Sequence, residues 1–128
     1  MILNAASMKP IYVQIAEWLE GEILSENIKD EERIYSQYQL AEMFTINPAT
    51  AAKGLNILAD EAIVYKKRGL GMFVAPNAKQ FILTRRRSLI LGPMIKELVL
   101  EANRLEVSQS DLNRMIQQVR KESEEEQS

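Results

Sequence analysis

The chain has 128 residues, of which 46% are apolar, enough to build one domain or a small domain with an appendage. It contains no Cys and no His. That removes disulfides, thiolate metal sites and the commonest general base and metal ligand, so neither an enzyme nor a metal or other cofactor is expected. A formal net charge of −2 argues against an indiscriminate binder of polyanions.

The charge is unevenly distributed. Glu17, Glu20, Glu22, Glu26, Asp30, Glu31 and Glu32 load the N-terminal part with acid. Residues 62–96 hold no Asp or Glu, yet carry Lys66, Lys67, Arg68, Lys79, Arg85, Arg86, Arg87 and Lys96. Such sign asymmetry says more about partners than the net value does. No apolar run reaches membrane-spanning length and no basic-then-apolar leader opens the chain, so a cytoplasmic location without membrane contact is expected.

Residues 1–9 carry no pattern and read as a loose lead-in. Pro10 opens a first helix, in which Ile11, Ile15, Trp18, Leu19 and Ile23 recur at three- and four-residue intervals as one apolar stripe, with Glu17, Glu20 and Glu22 mostly off it. Residues 27–32 read as a loop, and Arg33-Ile34 as a two-residue edge strand. Ser36 with Gln39 forms a capping box, and Tyr35 with Leu40 a hydrophobic staple, at the start of a helix over residues 37–44. Asn47 caps the next helix, residues 48–61, with Pro48 at its first position, where a missing N–H costs nothing. Only Thr45 and Ile46 separate the two, which forces the sharp crossing of a helix-turn-helix. Ala51, Leu55 and Leu58 face the core, and Ala49, Thr50, Lys53 and Asn56 face outward. Gly54 inside this helix marks close packing.

Ile63-Val64-Tyr65 and Met72-Phe73-Val74 are β-rich runs around Lys66-Lys67-Arg68-Gly69-Leu70-Gly71, a hairpin with a basic tip. Pro76-Asn77 marks a boundary, after which the chain is helical again. Gly92-Pro93 is expected to kink or break that helix. Leu91, Ile95, Leu98, Val99, Ala102 and Leu105 then make a broad apolar face. A second capping box, Ser108 with Asp111, opens a final helix striped with Leu112, Met115, Ile116 and Val119. These residues have no third helix to cover them, and pairing with a second copy into a four-helix arrangement is expected.

The fold class expected is therefore mainly α with a small β-hairpin: an N-terminal winged helix-turn-helix over residues 10–76, a two-helix dimerisation segment over 77–122 and a disordered tail over 123–128. At this point the pattern resembles the GntR family of bacterial transcription regulators. In that family a helix-turn-helix of the form S-x-R-x-L-A…(S/N)-x-x-T is followed by a hairpin R-x-G-x-G-(T)-F-V. The matching segments are Ser36-Gln37-Tyr38-Gln39-Leu40-Ala41, Asn47-Pro48-Ala49-Thr50 and Lys67-Arg68-Gly69-Leu70-Gly71-Met72-Phe73-Val74. The Asn47-Pro48 start and the short two-helix tail are similar to the YtrA-like subfamily, whose members lack a large effector domain and dimerise through that tail. Three positions depart from the family pattern: Tyr38 replaces an Arg, Ala62 stands where a Gly ends the third helix, and Met72 replaces a Thr.

The resemblance implies a homodimeric repressor that binds an inverted-repeat operator in double-stranded DNA. Its third helix would enter the major groove, with Asn47 and Thr50 on phosphates or base edges, Lys53 on a guanine or phosphate and Ala49 on a thymine methyl, next to Pro48. Ser36, Gln37 and Tyr38 would hold the flanking backbone, and Lys67, Arg68, Gly69, Leu70 and Gly71 would follow the neighbouring minor groove. A winged-helix module for protein interaction, without DNA binding, is the alternative; three adjacent cations at the hairpin tip weigh against it. Arg85-Arg86-Arg87 is read as a solvated helix face paired with acids of a partner chain in preference to an extension of the DNA footprint. An unknown small-molecule effector could sit in an apolar gap near Gly92-Pro93, though a filled dimer core is favoured there.

Overall fold

The computed structural model describes residues 3–127. In chain order it contains α1 (Ile11–Leu24), α2 (Gln37–Phe44), α3 (Pro48–Asp60), β1 (Val64–Lys67), β2 (Gly71–Val74), α4 (Ala78–Arg86), a π-helical turn (Arg87–Leu91), α5 (Gly92–Arg104) and α6 (Gln109–Gln127). The chain divides into two compact units, Met1–Arg85 and Arg86–Ser128. The division falls past the Pro76-Asn77 break because α4 still buries Ala78 and Ile82 in the first unit's core.

The first unit is a three-helix core with a hairpin at its edge. The α1 stripe contributes Ile15, Leu19 and Ile23, α2 contributes Leu40, and α3 contributes Ala51, Leu55 and Leu58, all buried. Trp18 closes one side, edge-on to Phe44 at 5.1 Å and tilted against Tyr35 at 5.8 Å between ring centroids. The lead-in is tied down from Asn4 onward. The Asn4 amide donates to Gln14 Oε1 at 2.8 Å, and Gln14 Nε2 donates back to the Asn4 carbonyl at 2.9 Å. Met1 and Ile2 lie outside the described residues.

The helix starts follow their caps. Ser36 Oγ accepts from the Gln39 amide at 3.1 Å and Gln39 Oε1 accepts from the Ser36 amide at 2.8 Å. Asn47 Oδ1 accepts from the Ala49 amide at 2.8 Å, with Pro48 next to it in the first turn. The helix ends use backbone closure without glycine. After α3, the Ile63 amide reaches the Leu58 carbonyl at 2.9 Å and the Ala62 amide the Ala59 carbonyl at 3.0 Å, with Ala62 at φ +61°. The same pairing closes α1 around Glu26 (φ +60°) and α5 around Glu106 (φ +58°). Each of these left-handed side-chain residues costs about 1 kcal/mol relative to glycine.

Gly54 is where α1 and α3 touch. A Cβ there would stand 2.8 Å from Ile15 Cγ2 and 2.9 Å from the Tyr12 carbonyl oxygen. Helix propensity alone would make Gly54→Ala stabilising by about 1 kcal/mol. The close approach reverses the sign: a net loss of about 1–3 kcal/mol is expected, because the α1 backbone must move. A urea-unfolding midpoint above the parent's would show that the two helices do not meet there.

The hairpin pairs antiparallel in the register Val64↔Val74, Tyr65↔Phe73, Lys66↔Met72 and Lys67↔Gly71. The expected edge strand at Arg33-Ile34 shrinks to a single bridge, Arg33 opposite Phe73, flanked by hydrogen bonds from the Ile34 amide to the Met72 carbonyl and from the Val74 amide to the Glu32 carbonyl, both 2.9 Å.

In the second unit Gly92-Pro93 does not break the helix. The Gly92 amide bonds to the Arg87 carbonyl, five residues back, and Gly92 itself is helical at φ −53°, ψ −56°. The wider π register lets the chain pass the proline, which has no amide to donate, and continue as α5. Ser108 Oγ accepts from the Asp111 amide at 3.2 Å, but the Asp111 carboxylate turns to Arg114. Residues 123–127, expected as a disordered tail, continue α6; Ser128 lies outside the described residues.

Candidate nucleic-acid interface

α3 presents its start and one face outward. Asn47, Ala49, Lys53 and Asn56 are exposed and Pro48 and Thr50 half-buried, while Ala51, Leu55 and Leu58 point inward. The spacing of the inward set fixes this outcome, since residues three and four apart share a face. Lys53 leans over the Tyr12 ring of α1, 5.8 Å from its centroid, so its stem is steadied while its charge stays in water. In α2, Ser36 and Gln37 are half-buried and Tyr38 is exposed.

The hairpin tip is made by glycine. The Leu70 amide closes on the Lys67 carbonyl at 2.9 Å, with Gly69 at φ +78° and Gly71 at φ +108°. Strand alternation then sends the two adjacent lysines to opposite faces. Lys67 lies over Phe73 at 4.4 Å and Tyr65 at 5.7 Å, so it is seated on rings as well as exposed. Lys66 turns the other way, into an open cleft of about 180 Å³ that it shares with Arg33, Ser36, Gln37, Tyr38 and Gly71. Arg68, Gly69 and Leu70 are exposed.

The structure thus gathers the start of α2 and the hairpin around one cleft, and holds Lys53 and Lys67 apart over rings of different elements. Lys66 and Arg33 were not among the expected contact residues. The period-two pattern of the strand could have separated Lys66 from Lys67; for Arg33 no sequence signal was available. Nearby acid is occupied. Tyr65 donates its hydroxyl to Glu31, and that hydrogen bond raises the phenol above its ordinary pKa. Arg85, read from the sequence as solvated, pairs with Glu20 and Glu61 of its own chain. Among the described residues no group of acidic side chains is placed to hold a metal ion, and no helix is long and apolar enough to cross a membrane.

No family model matches the chain. It is, however, 26% identical over 117 residues to the transcriptional repressor YtrA of Bacillus subtilis, a match covering 91% of this chain and 89% of that one. Its fold superimposes on a GntR-family transcriptional regulator from Bacteroides thetaiotaomicron with a TM-score of 0.75 and 27% identity, over 89% of this chain and 99% of that one. In sequence and in fold the chain is similar to transcription regulators of the GntR family, YtrA among them. A third likeness is to the AraR DNA-binding domain, solved in complex with operator ORX1: TM-score 0.53 and 26% identity, over 59% of this chain and 93% of that one. Two of the chain's departures from the GntR pattern fall where the structure absorbs them. Ala62 takes the left-handed conformation in place of the family's glycine, and Met72 packs against the core.

Proposed function

We propose that this protein binds double-stranded DNA sequence-specifically as a homodimer on an inverted-repeat operator and represses transcription from the cytoplasm. The observation that carries this reading is the outward, small and polar face of α3 in the same unit as an exposed basic hairpin tip. α3 enters the major groove with Asn47, Ala49, Thr50 and Lys53 toward base edges and phosphates. Ser36, Gln37 and Tyr38 hold the flanking backbone. The tip, Lys67 to Gly71, follows the minor groove, where glycine permits close approach.

The dimer in this proposal forms through α5 and α6. Leu91, Ile95, Leu98, Val99, Leu105, Met115, Ile116 and Val119 are all exposed, against a single buried apolar neighbour, Ala102, with Leu112 half-covered. An apolar surface of that extent calls for a second copy. With that face covered by a partner, the reading assigns no pocket to a small-molecule effector.

Lys53→Ala is expected to lower discrimination between operator and mismatched duplexes by about 1–3 kcal/mol, leaving binding to random duplex nearly intact. Competition mobility shifts measure this. Equal losses on all sequences would place Lys53 on the phosphates and remove it from the recognition set.

A further inference from the structure

Arg33 is held at the hairpin's edge by its bridge to Phe73, just before the buried Ile34. Its guanidinium lies against Gly71: a Cβ on that glycine would stand 3.0 Å from Nε and 3.4 Å from Nη2. Any other residue at 71 would crowd the arginine, so the close approach fixes where its charge sits. Other cations of this acid-rich chain are neutralised by its own carboxylates: Lys9 by Glu17, Lys79 by Glu26, Arg85 by Glu20 and Glu61, Arg104 by Glu101. Arg33 has acids directly before it and pairs with neither. Glu31 accepts from the Tyr65 hydroxyl, and Glu32 accepts from the Lys29 amide at 2.7 Å.

The result is a guanidinium without a counter-ion among the described residues, in one cleft with Lys66 and Tyr38. Ser36 brings no charge to that cleft: its amide donates to Gln39 in the capping box, and its hydroxyl, which accepts there, has only its own proton to offer an anion. Two side-chain cations supply the cleft's attraction for anions.

We propose that Arg33, with Lys66 beside it, binds a backbone phosphate of duplex DNA, carrying the hairpin's contact across to the start of α2. This rests on the DNA-binding reading above. A guanidinium matches the paired oxygens of a phosphodiester, and each phosphate neutralised releases counterions, which is read as salt dependence.

The test is a salt titration of binding to a mixed-sequence DNA duplex by the full chain, comparing the parent with Arg33→Gln, Arg33→Lys and, as a control elsewhere on the surface, Lys79→Gln. Arg33→Gln is expected to bind roughly tenfold more weakly at low salt and to lose about 0.9 from the salt slope per protomer. Arg33→Lys should recover the slope, and all variants should unfold at the parental urea midpoint. An Arg33→Gln variant that keeps the parental slope, or weakens no more than Lys79→Gln, overturns the assignment while the DNA reading stands. A parent that leaves the duplex unbound at low salt overturns both.

Discussion

Arg85→Ala is expected to lower the stability of the N-terminal unit by about 3 kcal/mol. The loss would come from Glu20, which α1 buries to 5% exposure and which Arg85 pairs with from the end of α4. A carboxylate kept out of water then loses the opposite charge that compensates its desolvation, and Glu61, a second carboxylate paired with the same arginine, adds repulsion instead. Removing the charge at both ends gives a sharper outcome. Glu20→Leu with Arg85→Leu should recover most of the loss, because two apolar residues of similar size need no pairing. Urea unfolding of Glu20→Leu, Arg85→Leu and the double variant measures the coupling. A parental midpoint for Arg85→Ala would mean that Glu20 is solvated and that α4 does not seal the first unit.

Neutralising the hairpin tip is expected to have the largest effect on binding. Lys66→Gln, Lys67→Gln and Arg68→Gln together should weaken duplex binding roughly 10²–10³-fold at low salt and reduce the salt slope by about 3 per protomer. The fall should be the same on every sequence, since phosphates carry no base identity. Folding should be little changed: Gly69 and Gly71 make the turn, and the Tyr65–Phe73 ring pair, 6.3 Å between centroids, stays in place. A variant that lost only its preferred sequence would move the tip from the backbone to the bases.

Much of the fold was legible because its signals are local. The Ser36–Gln39 box and the Asn47-Pro48 start announce two helices within a few residues, and the three- and four-residue spacing of Ile15, Leu19 and Ile23 announces a third. The features that were not legible depend on distant residues or on backbone geometry. Glu20 reads as a solvated acid until Arg85 arrives from α4. Glu26, Ala62 and Glu106 close helices in the left-handed conformation without the glycine that would have signalled it. Gly92-Pro93 reads as a break, because a π turn that accommodates the proline leaves no composition signature. Among the contact residues proposed for DNA, the α3 set followed from helical spacing. Arg33 could be recognised only once Gly71 and the two occupied glutamates were seen around it.

The central claim is that a dimer of this chain reads a two-fold symmetric duplex. Repeated selection of bound fragments from a random-sequence duplex pool, followed by sequencing, puts this to the test most directly. The expected result is enrichment of an inverted repeat whose half-sites lie about one DNA turn or more apart. A pool that remains unenriched after successive rounds with folded protein, or that converges on a motif without two-fold symmetry, would contradict it.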